Sequence, residues 1–222
     1  MRCHRHRMFS LVVFFAATLL FATVTFALAA DEDWRVVVYE HSNYQGKSLV
    51  YTIQPGMCQK LEPQLSKAKM NNKLSSVKVG KNVHVYLFQH KNYDGELLNL
   101  NDSKPSLSPY MFNNRVSSLV VYPRTALPVG VWLQGSKRSF YPAGDTCGGA
   151  SYPHLVHNND ATMVNIHTSG GCKLKATIFE HSDFKGKFQT STVAFNIGKD
   201  LLRKTSSLKI EKITGSCTVR TQ

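Results

Sequence analysis

The 222-residue sequence predicts an all-β protein of two β-sandwich domains, each made of two repeated units. Three observations carry that prediction. An aromatic–glycine element recurs at three places, an Asn-Asn-x-x-Ser-Ser element follows it downstream, and the runs between them are short, β-branched and aromatic. Strands bounded by Gly, Asn, Asp, Ser and Pro have this pattern, and no window of about 12 residues after the leader has helical periodicity. With 42% apolar and 18% charged residues, the composition excludes a wholly disordered chain, a collagen and a multi-span membrane protein.

The first element is a leader. Residues 1–7 carry three arginines and no acid, Met8–Leu28 holds no charged residue, and Ala27-Leu28-Ala29-Ala30 precedes Asp31-Glu32-Asp33. A basic flank, an apolar run and small residues at the exit make a secretory signal peptide over 1–30, with cleavage after Ala29. The apolar run approaches the ~20 residues that span a bilayer, so an uncleaved signal anchor is the alternative. Both readings place the rest of the chain outside the cytosol. The whole chain has 27 Lys and Arg against 14 Asp and Glu, a net +13; without residues 1–30 the balance is 24 against 14, or +10.

The repeats order everything after the leader. Val38-Tyr39-Glu40-His41-Ser42-Asn43-Tyr44-Gln45-Gly46 aligns with Leu87-Phe88-Gln89-His90-Lys91-Asn92-Tyr93-Asp94-Gly95 and with Ile178-Phe179-Glu180-His181-Ser182-Asp183-Phe184-Lys185-Gly186. The downstream element reads Asn71-Asn72-Lys73-Leu74-Ser75-Ser76 and Asn113-Asn114-Arg115-Val116-Ser117-Ser118. Worn copies follow at Asn158-Asn159-Asp160-Ala161-Thr162-Met163 and Leu202-Arg203-Lys204-Thr205-Ser206-Ser207. Gly46 and Gly95 are 49 residues apart, and Asn71 and Asn113 are 42 apart, whereas Gly95 to Gly186 is 91 and Asn113 to Leu202 is 89. A unit of about 45 residues is therefore doubled, and the pair doubled again.

Strands are expected at Arg35–Tyr39, Val83–Phe88, Ser118–Tyr122 and Thr177–Phe179, and a short helical turn over Lys60–Met70. Pro123–Pro128 reads as a linker. The units fall at about 35–80, 82–122, 129–168 and 173–213, giving a first domain 31–123, a linker 124–128 and a second domain 129–222. The third unit is the poorest copy: Trp132 supplies its aromatic residue, but Ser139 stands where glycine is expected.

Each repeated residue has a physical use. Glycine takes positive φ, which other residues resist. The aromatic ring packs over a bent loop, and a downstream serine hydroxyl satisfies amides that the loop exposes. One Greek-key unit then shares a single structural lock between distant segments.

The (Tyr/Phe)-x6-Gly element, the later serine, the period and the pairing of units together resemble the βγ-crystallin family, from Trp34 to about Ile213. The doubled Asn-Asn-x-x-Ser-Ser resembles the calcium signature of its microbial and invertebrate members. That resemblance implies two Greek keys per domain and two Ca2+ ions held between paired motifs. Carried over by position, it assigns Asn71, Asn72 and Ser75 from one copy and Asn113, Asn114 and Ser117 from the other. Backbone carbonyls of Glu40 and Gln89 complete the expected set, with Ser76 and Ser118 as hairpin locks. Ca2+ accepts six to eight oxygens, but these side-chain donors are neutral, so the expected Kd is about 10⁻⁵ to 10⁻³ M. The competing reading is that Asn and Ser merely shape turns.

In the second domain that competing reading prevails. Leu202-Arg203 replaces the asparagine pair, Met163 replaces a lock serine, and little or no calcium binding is expected. Four cysteines remain after the leader, Cys58, Cys147, Cys172 and Cys217, without CxxC spacing. One disulfide is expected among the last three, with Cys58 free or paired to the remaining thiol.

The sequence carries no nucleophile elbow, P-loop or paired-carboxylate motif, and its recurrent His41 and His181 point to hairpin geometry, so a non-enzymatic protein is expected. The cations are scattered among strand residues, which reads as a solvated face. The resulting expectation is a secreted calcium-binding protein with a structural, matrix or coat role, a monomer or weak dimer that binds no nucleic acid. The alternative is a basic toxin-like or antimicrobial protein acting on anionic cell-surface or matrix components.

Overall fold

The computed structural model describes residues 32–54, 56–155 and 159–217. The leader at 1–30, His157 and Asn158 lie outside the described residues. Fifteen strands run through these segments: β1 Arg35–His41, β2 Gln45–Thr52, β3 Lys60–Glu62, β4 Ser76–Val79, β5 Val83–Phe88, β6 Leu97–Leu100, β7 Ser118–Pro123, β8 Gly130–Gln134, β9 Arg138–Pro142, β10 Ala150–Tyr152, β11 Met163–His167, β12 Lys173–His181, β13 Lys185–Ser191, β14 Phe195–Asn196 and β15 Ser207–Thr214. All four predicted strand runs are present. Lys60–Met70 is only partly helical: β3 takes its first three residues, and i→i+3 bonds bend Gln64–Lys69. The strand wins there because Lys60, Leu61 and Glu62 pair with Val121, Val120 and Leu119.

The strands form four antiparallel sheets, ordered β2-β1-β4, β3-β7-β5-β6, β14-β11-β8-β9 and β10-β15-β12-β13. In each half the units exchange a strand. β3 of the first unit joins the sheet of the second, and the second unit returns a bridge between Lys104 and Val77. Likewise β10 of the third unit joins the fourth, and β14 of the fourth joins the third. No unit closes its sheets alone, which is why the repeats come in pairs. The two halves are two sandwich domains of this Greek-key type.

Alternation of side chains places the cores. In β5, Val83, Val85 and Leu87 point into the first domain's core, and in β7 Leu119 and Val121 join them. The intervening Tyr86, Phe88, Val120 and Tyr122 point the other way, onto Trp132 and Phe140 of the second domain. Val131, Leu133 and Tyr141 on those same strands face the second core. Strands β5, β7, β8 and β9 of the middle two sheets are thus largely buried on both faces, and the domains dock face to face. Tyr86 meets Trp132 at 6.0 Å and Phe140 at 6.3 Å in edge-on arrangements. Such contacts contribute about 0.5–1.5 kcal/mol each beyond area burial.

Polar contacts fix the docked register. Fully buried Gln59 donates from Nε2 to Val129 O at 2.8 Å and to Gly144 O at 3.1 Å, and its Oε1 accepts from Val129 N at 2.9 Å. Asp145 accepts from Leu61 N at 2.8 Å and pairs with Lys60 at 3.1 Å. Cys58 pairs with Cys217 across the domains (Cα–Cα 5.0 Å), and Cys147 with Cys172 within the second (6.2 Å). Both spacings suit a disulfide. Of the two outcomes open for Cys58, free or paired, the structure has the pair: the segment leading into β3 carries it into the second domain's core, where Cys217 sits.

Two histidines line the facing sheets. His84 stacks edge-on against Tyr122 at 5.5 Å, and His167 lies 6.2 Å from Trp132. His84 Nε2 and His167 Nδ1 are buried without a hydrogen-bond partner. Burial, then the charge of Arg124, lowers the His84 pKa against an opposing pull from Asp102; burial, then Arg138, lowers that of His167. Folding therefore favours the neutral rings. The stability they confer is complete above an unfolded-state pKa of about 6.5 and is lost as pH falls from there through the lower folded values. Urea midpoints measured at about pH 7.5 and 5 should fall with acid in the parent chain and fall less in His84→Gln/His167→Gln. Equal slopes would remove these rings from the acid response.

Candidate metal centre

The aromatic–glycine element folds the same way in three units. After Tyr39, Phe88 or Phe179 the strand reaches a histidine, then two residues take left-handed φ: Asn43 and Tyr44 (56° and 62°), Asn92 and Tyr93 (57° and 65°), Asp183 and Phe184 (57° and 64°). Gly46, Gly95 and Gly186 follow at φ 79° to 80°. A Cβ on Gly46 or Gly95 would lie 2.6 Å from the ring of His41 or His90, so glycine answers both the backbone angle and the ring against it. The recurrent histidines are part of the hairpin. Paired aromatic rings close each loop at 5.7 Å: Tyr39 with Tyr44, Phe88 with Tyr93, Phe179 with Phe184.

The last serine of the downstream element is the lock. Ser76 Oγ donates to His41 O at 2.6 Å and accepts from Tyr44 N at 3.0 Å. Ser118 does the same with His90 O and Tyr93 N at 2.6 and 3.0 Å, and Ser207 with His181 O and Phe184 N at 2.7 and 3.0 Å. The third unit has Met163 here and a regular β8–β9 hairpin, with Leu133 opposite Ser139.

The serine before each lock meets an asparagine from the other copy. Ser75 Oγ donates to Asn114 Oδ1 at 3.4 Å, and Ser117 Oγ donates to Asn72 Oδ1 at 3.0 Å. Backbone bonds fix the crossing: Asn72 N donates to Val116 O and Asn114 N to Leu74 O, both at 2.9 Å, with the two asparagines at φ 54° and 55°. Ser75 N donates to Tyr39 O and Ser117 N to Phe88 O, which brings Glu40 beside one pair and Gln89 beside the other. Six of the eight predicted residues thus gather into two clusters. One holds Glu40, Ser75 and Asn114; the other holds Gln89, Ser117 and Asn72. Asn71 and Asn113 precede the crossing asparagines, and Asn71 Oδ1 is buried without a hydrogen-bond partner. The strand pairing of β1 with β2 is interrupted at Glu40, between Tyr39 and His41.

These residues fit a calcium ion by donor chemistry. Two oxygens bound at 2.3–2.6 Å and separated by the roughly 72–90° of neighbouring ligands in a pentagonal bipyramid lie about 2.7–3.7 Å apart, a range that holds both Asn–Ser separations. Of the variable cations of the signature, Arg115 is drawn onto Glu96 at 3.0 Å, whereas Lys73 lies 3.7 Å from the Glu40 carboxylate, beside one of the clusters. Among the described residues no group of three or more His, Cys, Asp and Glu gathers as a metal site, so any ion here relies on amide, hydroxyl and carbonyl oxygens.

The second domain keeps the crossing and loses part of the donor set. Asn159 and Arg203 have φ 63° and 57°, and their amides donate to Thr205 O and Ala161 O at 3.3 Å. Arg203 therefore stands where Asn72 and Asn114 stand in the first domain. The hydroxyl of Thr162 donates to Gln134 O at 3.1 Å.

Which serine meets which asparagine was not readable from the sequence, because it depends on the exchange of strands between units.

The beta/gamma crystallin family model matches residues 32–103. Among solved structures, the N-terminal domain of protein S is 30% identical, over 40% of this chain and 97% of that one, at a TM-score of 0.34. A βγ-crystallin domain from Clostridium beijerinckii is 28% identical over 39% and 95%, at 0.33. A nickel complex of a clostrillin double mutant is 27% identical over 40% and 97%, at 0.33. A comparison with curated proteins gives no match. By the family match, residues 32–103 of the chain belong to the beta/gamma crystallin family.

Ser76→Ala leaves Tyr44 N and His41 O without their shared partner and should cost about 1–3 kcal/mol in chemical denaturation. An unchanged midpoint would contradict the role given to the lock.

Proposed function

We propose that this is a secreted, non-enzymatic βγ-crystallin that binds two Ca2+ ions in its first domain and is stabilised by them, in an extracellular structural, matrix or coat role. The observation that carries the reading is the cross-pairing of Asn72 with Ser117 and Asn114 with Ser75. Asn71, Asn72, Ser75 and Glu40 with Asn113, Asn114, Ser117 and Gln89 would hold the ions. Bound calcium would fasten the two copies of the signature to each other. The secretory leader and the extracellular abundance of calcium agree with the weak affinity that neutral donors give.

An ion that binds only the folded state adds about 2.7 kcal/mol per site when its concentration is about 100 times Kd. The melting temperature of the chain from residue 31 onward should therefore rise with millimolar calcium and return with chelator. The rise should vanish in Asn72→Gly/Asn114→Gly, where glycine keeps the left-handed backbone but removes both side-chain oxygens. No rise in the parent chain would overturn the calcium reading.

One observation favours a second reading, attraction to anionic cell surfaces. Residues 173–214 hold nine cations against four acids, half of the mature chain's net charge. On the outer face of this unit Phe188 is 64% exposed beside Phe179, and Lys209 lies 4.5 Å over the Phe184 ring. Cosedimentation with anionic vesicles that is lost in salt would support it, and equal partition with neutral vesicles would not.

A further inference from the structure

The two centres of the first domain have matching donors and different surroundings. Behind the Asn114–Ser75–Glu40 centre stands the Tyr39–Tyr44 pair, with Lys78 at 5.9 and 5.1 Å from the two rings on the outer face of the first sheet. Behind the Asn72–Ser117–Gln89 centre stands the Phe88–Tyr93 pair, and both rings are buried in the aromatic cluster that joins the domains. The position of Lys78 is held there by Val120, also buried in that cluster. Gln89 follows Phe88 directly, and Ser117 N bonds Phe88 O at 2.9 Å. Ser118, the next residue, fixes Tyr93 N at 3.0 Å. The same hairpin walls a groove of about 530 Å³ between the domains, where Gln89 and Glu96 face Trp132 and Arg138.

We propose that calcium at the Asn72–Ser117–Gln89 centre is coupled to docking of the two domains, whereas calcium at the Asn114–Ser75–Glu40 centre is not. The proposal rests on the calcium reading above. Two states are involved. In the docked state Phe88 and Tyr93 pack with Trp132 and Phe140, and Cys58 and Cys217 are 3% and 5% exposed. In the opened state the hairpin loses that backing and the interdomain disulfide meets solvent. An ion tying Gln89 to Ser117 and Asn72 holds the hairpin in the form the second domain fits. By reciprocity, docking tightens that centre by the same factor.

Cys58–Cys217 is the natural reporter, because a reductant reaches it through the opened state. The full mature chain would be treated with dithiothreitol with and without millimolar calcium, and loss of this disulfide followed by mass spectrometry. Calcium should slow reduction roughly tenfold in the parent, within the usual range of about 5–150-fold for coupled sites. Asn114→Gly should keep that protection and Asn72→Gly should lose it. Both substitutions remove one amide oxygen at nearly the same φ, so strain cannot separate them. Equal protection in the two variants, or equal loss, would overturn the coupling. Calorimetry on the same samples separates the two failures: no heat of binding in the parent overturns the calcium reading, whereas binding without selective protection overturns only the coupling. If Asn72→Gly does not fold, Ser117→Ala against Ser75→Ala makes the same comparison.

Discussion

The structure depends on one small interaction made three times, a buried serine hydroxyl held between a carbonyl and an amide of a folded hairpin. Ser76, Ser118 and Ser207 each bridge two atoms of a loop whose residues take left-handed angles that it would not hold unaided. The serine comes from the last strand of the unit and the loop from the first, so the bond closes the Greek key. In the first domain it also sets the serine before it, since Ser75 and Ser117 each meet the crossing asparagine of the other copy. Fold and candidate site thus share one lock.

From that lock the four units diverge according to what covers them. The first and fourth present their aromatic pairs outward beneath Lys78 and Lys209. The second replaces the lysine with Val120 and buries its rings against Trp132 and Phe140 of the third, whose own lock is lost to Met163. The third unit's hairpin is ordinary, and its aromatic residue serves domain docking. Burial and sequence change do not coincide: the second unit is buried with its motifs intact, and the fourth faces outward with its asparagine pair replaced. In the second domain the crossing backbone survives with Asn159 at one position and Arg203 at the other, so the fold persists without the full donor set.

The fold was legible because repeats, positive-φ glycines and short β-branched runs are local properties. The locks at Ser76 and Ser118 were legible for the same reason, since each serves its own hairpin. The pairing of Asn72 with Ser117 was not, because it joins two units by strand exchange. The partner of Cys58 was hidden likewise, since Cys217 lies 159 residues away and meets it only through domain docking. The cations seemed evenly scattered along the chain, yet nine of them fall in the fourth unit. Lys60–Met70 misled because its first residues answer to β7, a long-range partner that local propensity does not contain.

Calorimetric titration of the full mature chain with Ca2+ tests the central claim most directly. The account predicts two ions per chain at a Kd of about 10⁻⁵ to 10⁻³ M. It further predicts one ion per chain when either crossing asparagine becomes glycine. A parent chain that binds no calcium, or a stoichiometry unmoved by both substitutions, would contradict it.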